Sequence, residues 1–185
     1  QAWAREGGRG LLRKAYGPQI RGGESAALLK LTDKERYTAA SHYDLVVALD
    51  WDNFSRFEDE IRLSEKSWVL CEEGAAIPDT VAALQPNILS LPLEESAAAA
   101  HAEGRVNMLV LGLLGELLGL PAEALCELAG EKLSRKAESF REAAVSSIRQ
   151  GVEMRPACHV NVPDRGETGA WYLSGNQAAG LGALE

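Results

Sequence analysis

This chain is poor in aromatic residues, in paired cysteines and in positive charge, and each shortage removes a class of function. Phe, Trp and Tyr make up 6% of its 185 residues, too few to build stacking platforms for bases. The formal net charge is −8, which opposes nucleic acid or an anionic membrane as partner. Small anionic ligands stay open, because a local cation can oppose the global sign. Cys71, Cys126 and Cys158 lie far apart with no CxxC. That spacing gives neither a disulfide framework nor a zinc or iron–sulfur ligand run, and it fits a reducing cytoplasm. His42, His101 and His159 show no metal spacing and read as surface or loop residues. Cys158 and His159 are adjacent, so in an extended segment they point opposite ways and make no nucleophile–base pair. The opening QAWAREGGRG holds no apolar signal core. The longest apolar stretch, residues 108–120, is interrupted by Gly112, Gly115 and Glu116 and is too short to span a bilayer.

What is present suits a packed core, since 46% of the residues are hydrophobic. Residues 1–24 read as a loop-rich entry with a short helix over residues 11–15. Ser25–Thr32 reads as a strand. Residues 44–50 (DLVVALD) form a continuous apolar run bounded by acids, the pattern of a strand buried on both faces of a parallel sheet. Asp50 closes it, and WDNFSRFEDEIR then begins a helix with Phe54, Phe57 and Ile61 on one side. Residues 68–70 and Asn87–Leu91 are further core strands. Residues 94–103 are alanine-rich and helical. Residues 107–120 are apolar all round, which predicts a helix buried between layers. Pro121 restarts the chain at a first helical position. Leu125, Leu128, Ala129 and Leu133 follow helical spacing. Phe140, Ala144 and Ile148 mark the inward stripe of a last helix, with Gly151 as its stop. Strands alternating with helices predict a three-layer α/β/α domain with a mostly parallel sheet. Residues 152–168, with Pro156, Pro163, Asp164 and Gly166, read as a linker. Residues 171–173 then read as a strand, followed by a glycine-rich turn into a helix.

The densest chemistry lies in residues 16–25, YGPQIRGGES. Pro18 fixes its own φ and turns Gly17 away from helix. Gly22 and Gly23 tolerate positive φ and let a ligand or another backbone approach. Arg21 brings a planar donor fork suited to phosphate or carboxylate. Tyr16, Arg21, Gly22, Gly23, Ser25 and Asn107 are therefore the candidate residues for binding substrate. Each has a plainer reading. Arg21 serves equally as one half of an interdomain salt bridge. Tyr16 reads as a half-buried ring anchoring the turn, and Ser25 as the start of its strand. Asn107 reads as the cap of the apolar helix, and Met108 as core filling. Asp50, at the carboxyl end of a core strand, sits where open α/β sheets bind ligands, or else caps the next helix.

YGPQIRGGES, the strand DLVVALD and the stretch NMLVLG over residues 107–112 together resemble the 2-oxoacid:ferredoxin oxidoreductases, the pyruvate, 2-oxoglutarate and ketoisovalerate type. EKLSRK over residues 131–136 is similar to the stretch that follows in that family. Residues 1–151 look like its gamma domain. LSGNQA over residues 173–178 is similar to the opening of its alpha domain. The resemblance thus implies gamma and alpha regions in one polypeptide, with residues 152–168 between them and residues 169–185 starting the alpha region. That order leans toward a 2-oxoglutarate-type enzyme. Gamma domains of the family begin with a strand and a Gly-Gly-Gln-Gly turn, and none precedes Trp3, so that strand is expected to be missing. Gln19 and Gln177 stand where the family often has glutamate, so no role of those carboxylates is carried over.

The resemblance implies oxidative decarboxylation of a 2-oxoacid to acyl-CoA. Thiamine diphosphate, Mg, 4Fe-4S clusters and coenzyme A serve the complete enzyme, and ferredoxin takes the electrons. It implies that this region binds none of those cofactors itself, since it lacks a Gly-Asp-Gly motif. It packs against the thiamine-binding alpha and beta domains and shapes the coenzyme A entrance. The other readings are a stand-alone nucleotide- or coenzyme-A-binding module and a purely structural interface domain.

Overall fold

The computed structural model describes residues 1–17, 23–33, 42–166 and 172–182. Its centre is a three-stranded parallel sheet in the order β3 (Leu45–Ala48), β4 (Trp68–Glu72) and β5 (Asn87–Leu91). In the register, Val46 pairs with Val69 and Val69 with Ile88. The middle strand is apolar along its length because both of its faces are covered. Leu70 packs with Leu93 and Ala97 of α3 (Leu93–Ala100) and with Leu109, Val110 and Leu113 of α4 (Val106–Leu117). Val69 points the other way, to Leu63 and to Val81 of the short α2 (Asp79–Ala82). Each fully buried Leu of this kind contributes about 1.5–3 kcal/mol. The expected mixed α/β class, a parallel sheet flanked by helices, is borne out.

Helix α4 lies against α6 (Glu138–Glu153), and glycine makes the approach possible. A Cβ on Gly112 would overlap the Ile148 carbonyl group, and one on Gly151 would overlap that of Leu109. Gly151 therefore does not stop the last helix, as its sequence position suggests. It is buried inside α6, and the helix runs on to Glu153. The amino end of α4 is tied across the same crossing. The buried Ser147 Oγ accepts the Arg105 N–H at 3.1 Å and donates to the Ala143 carbonyl at 2.8 Å. Asn107 is not the cap, because it lies within the first turn of α4 and Arg105 holds the cap position. Nor is α4 buried all round. Leu111 is exposed, and Leu114 is half-buried. Pro121 is the cap residue of α5 (Ala122–Lys132), one position before the helix begins.

A second sheet is an antiparallel hairpin of β1 (Arg9–Tyr16) and β2 (Ser25–Thr32), paired from Arg9 with Thr32 to Tyr16 with Ser25. Residues 11–15 are thus strand and not helix. Leu, Arg, Lys and Ala are good helix formers, but propensity is a small term and a full ladder with β2 overrides it. Before the hairpin stands the short α1 (Ala2–Arg5), whose Trp3 is buried with Leu120, Leu125, Ala129 and Ile148. Arg5 is joined to Glu131 of α5 by two bonds of 3.0 and 2.6 Å.

The helix expected after Asp50 is a single 3-10 turn, Phe54–Arg56. Asp50 Oδ1 accepts the Asp52 N–H at 3.0 Å, and Asn53 is left-handed at φ 60°. Both features favour a turn over a continuing helix. Residues 155–166 form no helix or strand but lie on the domain. Cys158 is buried, Val162 packs on the Trp3 cluster, and the Gly166 N–H donates to the Gly7 carbonyl at 3.1 Å. Tyr172 and Leu173 are exposed and not in a strand, while Trp171 lies outside the described residues. The helix that follows is α7 (Gly175–Gly182). No helix among the described residues is long and apolar enough to cross a membrane.

Candidate functional site

The site grows from the loop end of the hairpin. Beyond the pair of Tyr16 with Ser25, the Gly17 N–H donates to the Glu24 carbonyl at 2.8 Å, which carries the ladder one step into the connecting loop. Arg21 and Gly22, together with Pro18, Gln19 and Ile20, lie outside the described residues. Tyr16, Gly23 and Ser25 come together on one cleft of about 910 Å³ between the hairpin and β3. The opposite wall carries Asp50, Trp51 and Phe54 after β3, and Leu114 of α4 closes the floor. Tyr16 is 67% exposed, so it does not anchor the turn as a half-buried ring. Its phenol is free to meet a ligand or a neighbouring domain. Ser25 begins β2 and is exposed. Asn107 is exposed on the first turn of α4 and does not line this cleft.

Of the charged residues on the cleft, Glu24 is tied to the segment after β3, and a second ion pair outside the lining joins the hairpin to the same segment. Glu24 pairs with Arg56 of the 3-10 turn, and Arg13 of β1 pairs with Glu60 at 3.0 Å. The Glu24 carboxyl is held below the usual range, first by its own backbone N–H and then by Arg56, against the opposing pull of desolvation. It stays ionised at neutral pH. The only sequence signal for these pairs is the spacing of Arg56 and Glu60, four residues apart with opposite charges. Their partners lie far away in the chain.

Cysteine chemistry is muted. Burial pushes the Cys71, Cys126 and Cys158 thiols up, away from the reactive thiolate. His101 Nδ1 accepts the Glu103 N–H at 3.0 Å in a local turn. Among the described residues, no group of three or more His, Cys, Asp or Glu is placed to hold a metal ion.

The sequence model of the pyruvate ferredoxin/flavodoxin oxidoreductases matches residues 1–154. The chain belongs to that family. The resemblance read from YGPQIRGGES, DLVVALD and NMLVLG is thereby borne out. Solved structures of the family share the fold. A 2-oxoglutarate:ferredoxin oxidoreductase from Magnetococcus marinus, with 2-oxoglutarate, coenzyme A and succinyl-CoA bound, superposes with a TM-score of 0.67 at 20% identity. That match takes in 90% of this chain and 29% of the Magnetococcus chain, so this chain spans under a third of that relative. A pyruvate oxidoreductase subunit from Thermotoga maritima gives 0.57 at 20% identity, over 82% of this chain and 85% of that one. The gamma subunit of a keto/oxoacid ferredoxin oxidoreductase from Geobacter sulfurreducens gives 0.54 at 19% identity, over 83% and 87%. No curated protein sequence matches the chain.

Proposed function

We propose that this chain is part of a 2-oxoacid:ferredoxin oxidoreductase, which converts a 2-oxoacid to its acyl-CoA and passes the electrons to ferredoxin. In this reading the domain shapes the entrance for coenzyme A and packs against the thiamine-binding alpha and beta domains. Residues 1–151 are its gamma region, 152–168 a connection, and 169–185 the start of an alpha region. The observation that carries the role of the domain is the convergence of Tyr16, Gly23 and Ser25 on one open cleft at the end of the hairpin. These are residues of the same ten-residue motif that holds Arg21. A guanidinium, a phenol and flexible glycine amides together suit the phosphates of coenzyme A. Mg–thiamine diphosphate and iron–sulfur clusters find little support in the described residues, which group no three His, Cys, Asp or Glu side chains for a metal ion and keep their cysteines separate. Those groups belong to other domains in this reading, and no chemical step is assigned to this chain.

The test is Arg21→Ala in the complete enzyme. Loss of one charge-assisted contact is expected to raise the KM for coenzyme A about ten- to a hundredfold, with less effect on stability. An unchanged KM with a lower melting temperature would instead make this a purely structural interface domain.

A further inference from the structure

The hairpin and the parallel sheet share no ladder among the described strands. Their relative position therefore depends on contacts outside any shared ladder. Two charged bridges join the hairpin to the short segment after β3. Glu60 holds Arg13 of β1, and Arg56 holds Glu24 immediately before β2. The two bridges have opposite polarity, so exchanging their partners would set like charges together.

The Arg56 bridge is built more firmly than an ordinary surface pair. The Glu24 side chain is only 11% exposed, against 40% or more for Arg13, Glu60 and Arg56. It is tucked over Gly17, where a Cβ would come within 2.9 Å of Glu24 Oε2 and closer still to its other carboxylate atoms. Gly17 thus makes room for the carboxylate, and the Gly17 N–H bonds the Glu24 carbonyl. Arg56 stands on a firm base. The Phe57 beside it is buried, Trp51 and Phe54 meet edge to face at 5.2 Å, and the Asp50 turn ties the segment to the end of β3.

From this arrangement we infer that Arg56 is a positioning residue for the coenzyme A entrance. By gripping Glu24 it fixes the end of the motif at which Gly23 and Ser25 reach the cleft. This rests on the reading above, in which that motif meets coenzyme A. The Arg56 end of the pair is 47% exposed, and an ion pair open to solvent at one end adds little to global stability. Its removal is expected to act on ligand binding more than on melting.

The experiment uses the complete enzyme with Arg56→Ala, Arg56→Lys, the exchanged pair Glu24→Arg/Arg56→Glu, and Arg21→Ala in parallel. Arg56→Ala is expected to raise the KM for coenzyme A about three- to tenfold. The kcat and the KM for the 2-oxoacid should stay near their original values. Arg56→Lys should recover part of the loss, and the exchanged pair most of it. If Arg21→Ala raises the KM for coenzyme A while Arg56→Ala does not, the inference is overturned and the entrance reading stands. If neither moves it, both fall. A KM that rises only in step with a falling melting temperature, without recovery in the exchanged pair, would also overturn it.

Discussion

Gly112→Ala and Gly130→Ala make the same chemical change and should have opposite effects. Gly112 sits where α4 meets α6, with the Ile148 carbonyl carbon 2.8 Å from the position a Cβ would take and the carbonyl oxygen nearer still. Those atoms are helix backbone, so no rotamer change relieves the overlap. The helices must move apart, loosening Leu109, Leu113 and Ile148, which are fully buried. Overpacking of a core costs about 1–3 kcal/mol, and lost core contacts add to that. Alanine returns about 1 kcal/mol through helix propensity. The lost contacts and the propensity gain roughly cancel, so the net expectation is a destabilisation of about 1–3 kcal/mol. Gly130 lies within α5 with nothing inside 4 Å of its virtual Cβ. There only the propensity gain remains, and Gly130→Ala should stabilise by about 0.5–1 kcal/mol. Urea unfolding of the wild-type chain and both variants reads the difference. For a chain of this size, 1 kcal/mol moves the melting temperature by about 2–4 °C. A Gly112→Ala protein as stable as wild type would refute the close backbone crossing.

Three further expectations follow from the packing. Leu113→Asp should abolish folding, because it buries an unpaired charge among Leu70, Leu93 and Leu109. Leu114→Asp should stay folded, as Leu114 lines the open cleft, and circular dichroism separates the two. Ser147→Ala strands the Arg105 N–H and should cost about 1–2 kcal/mol in denaturant unfolding, while a neutral result would show that this cross-helix bond contributes nothing. The Glu131 carboxyl is held below its ordinary value of 4.5, first by its bond to Arg5. A depressed carboxylate contributes stability above its unfolded pKa and loses it as pH falls through the folded pKa. The melting temperature should therefore be steady near neutrality and fall below about pH 4.5, less steeply in Arg5→Ala. Parallel curves for the two proteins would show that the pair contributes nothing.

What the sequence displayed depended on whether one strand or helix could be judged alone. DLVVALD is legible as a strand because a continuous apolar run between acids suits a sheet covered on both faces, and NILSL as a short β-branched and apolar stretch ended by Pro92. Residues 11–15 are not, since LLRKA fits a helix locally and only pairing with β2 decides the matter. Gly151 shows the same limit. A glycine near a helix end reads as a stop, but its partner is a carbonyl on another helix, invisible in a one-dimensional pattern. At the site, the nearness of Tyr16, Gly23 and Ser25 follows from their spacing around a turn. Glu24 and Arg56 lie 32 residues apart, and their meeting depends on how the hairpin docks. The capping role given to Asn107 fits its residue type, but α4 has no side-chain cap, and Ser147 of α6 instead accepts the N–H of Arg105, the cap-position residue.

Residues 155–166 show why composition and attachment are separate questions. Their prolines lack an N–H and their glycine disfavours regular structure, which makes them read as a connection between folded units. Irregular backbone can still be held by carbonyls that other elements leave over. Gly7 and Gly119, both at positive φ, end α1 and the turn after α4, and their carbonyls accept the Gly166 N–H and Arg165 Nη2. The Arg165 guanidinium also stands 5.6 Å over the Trp3 ring. The segment thereby joins the entry to the hairpin with the turn between α4 and α5. The hairpin is then restrained at both ends, at its base by this strap and near its tip by Glu24 and Arg56. Between these points it faces an open cleft, and Leu12, Tyr16 and Leu29 remain exposed. An element held at two ends and open between them can present a ligand-facing edge without a sheet ladder behind it. Its docking is then set by a few bonds at its two ends, and the side-chain bonds among them are where substitutions should alter binding before they alter the fold.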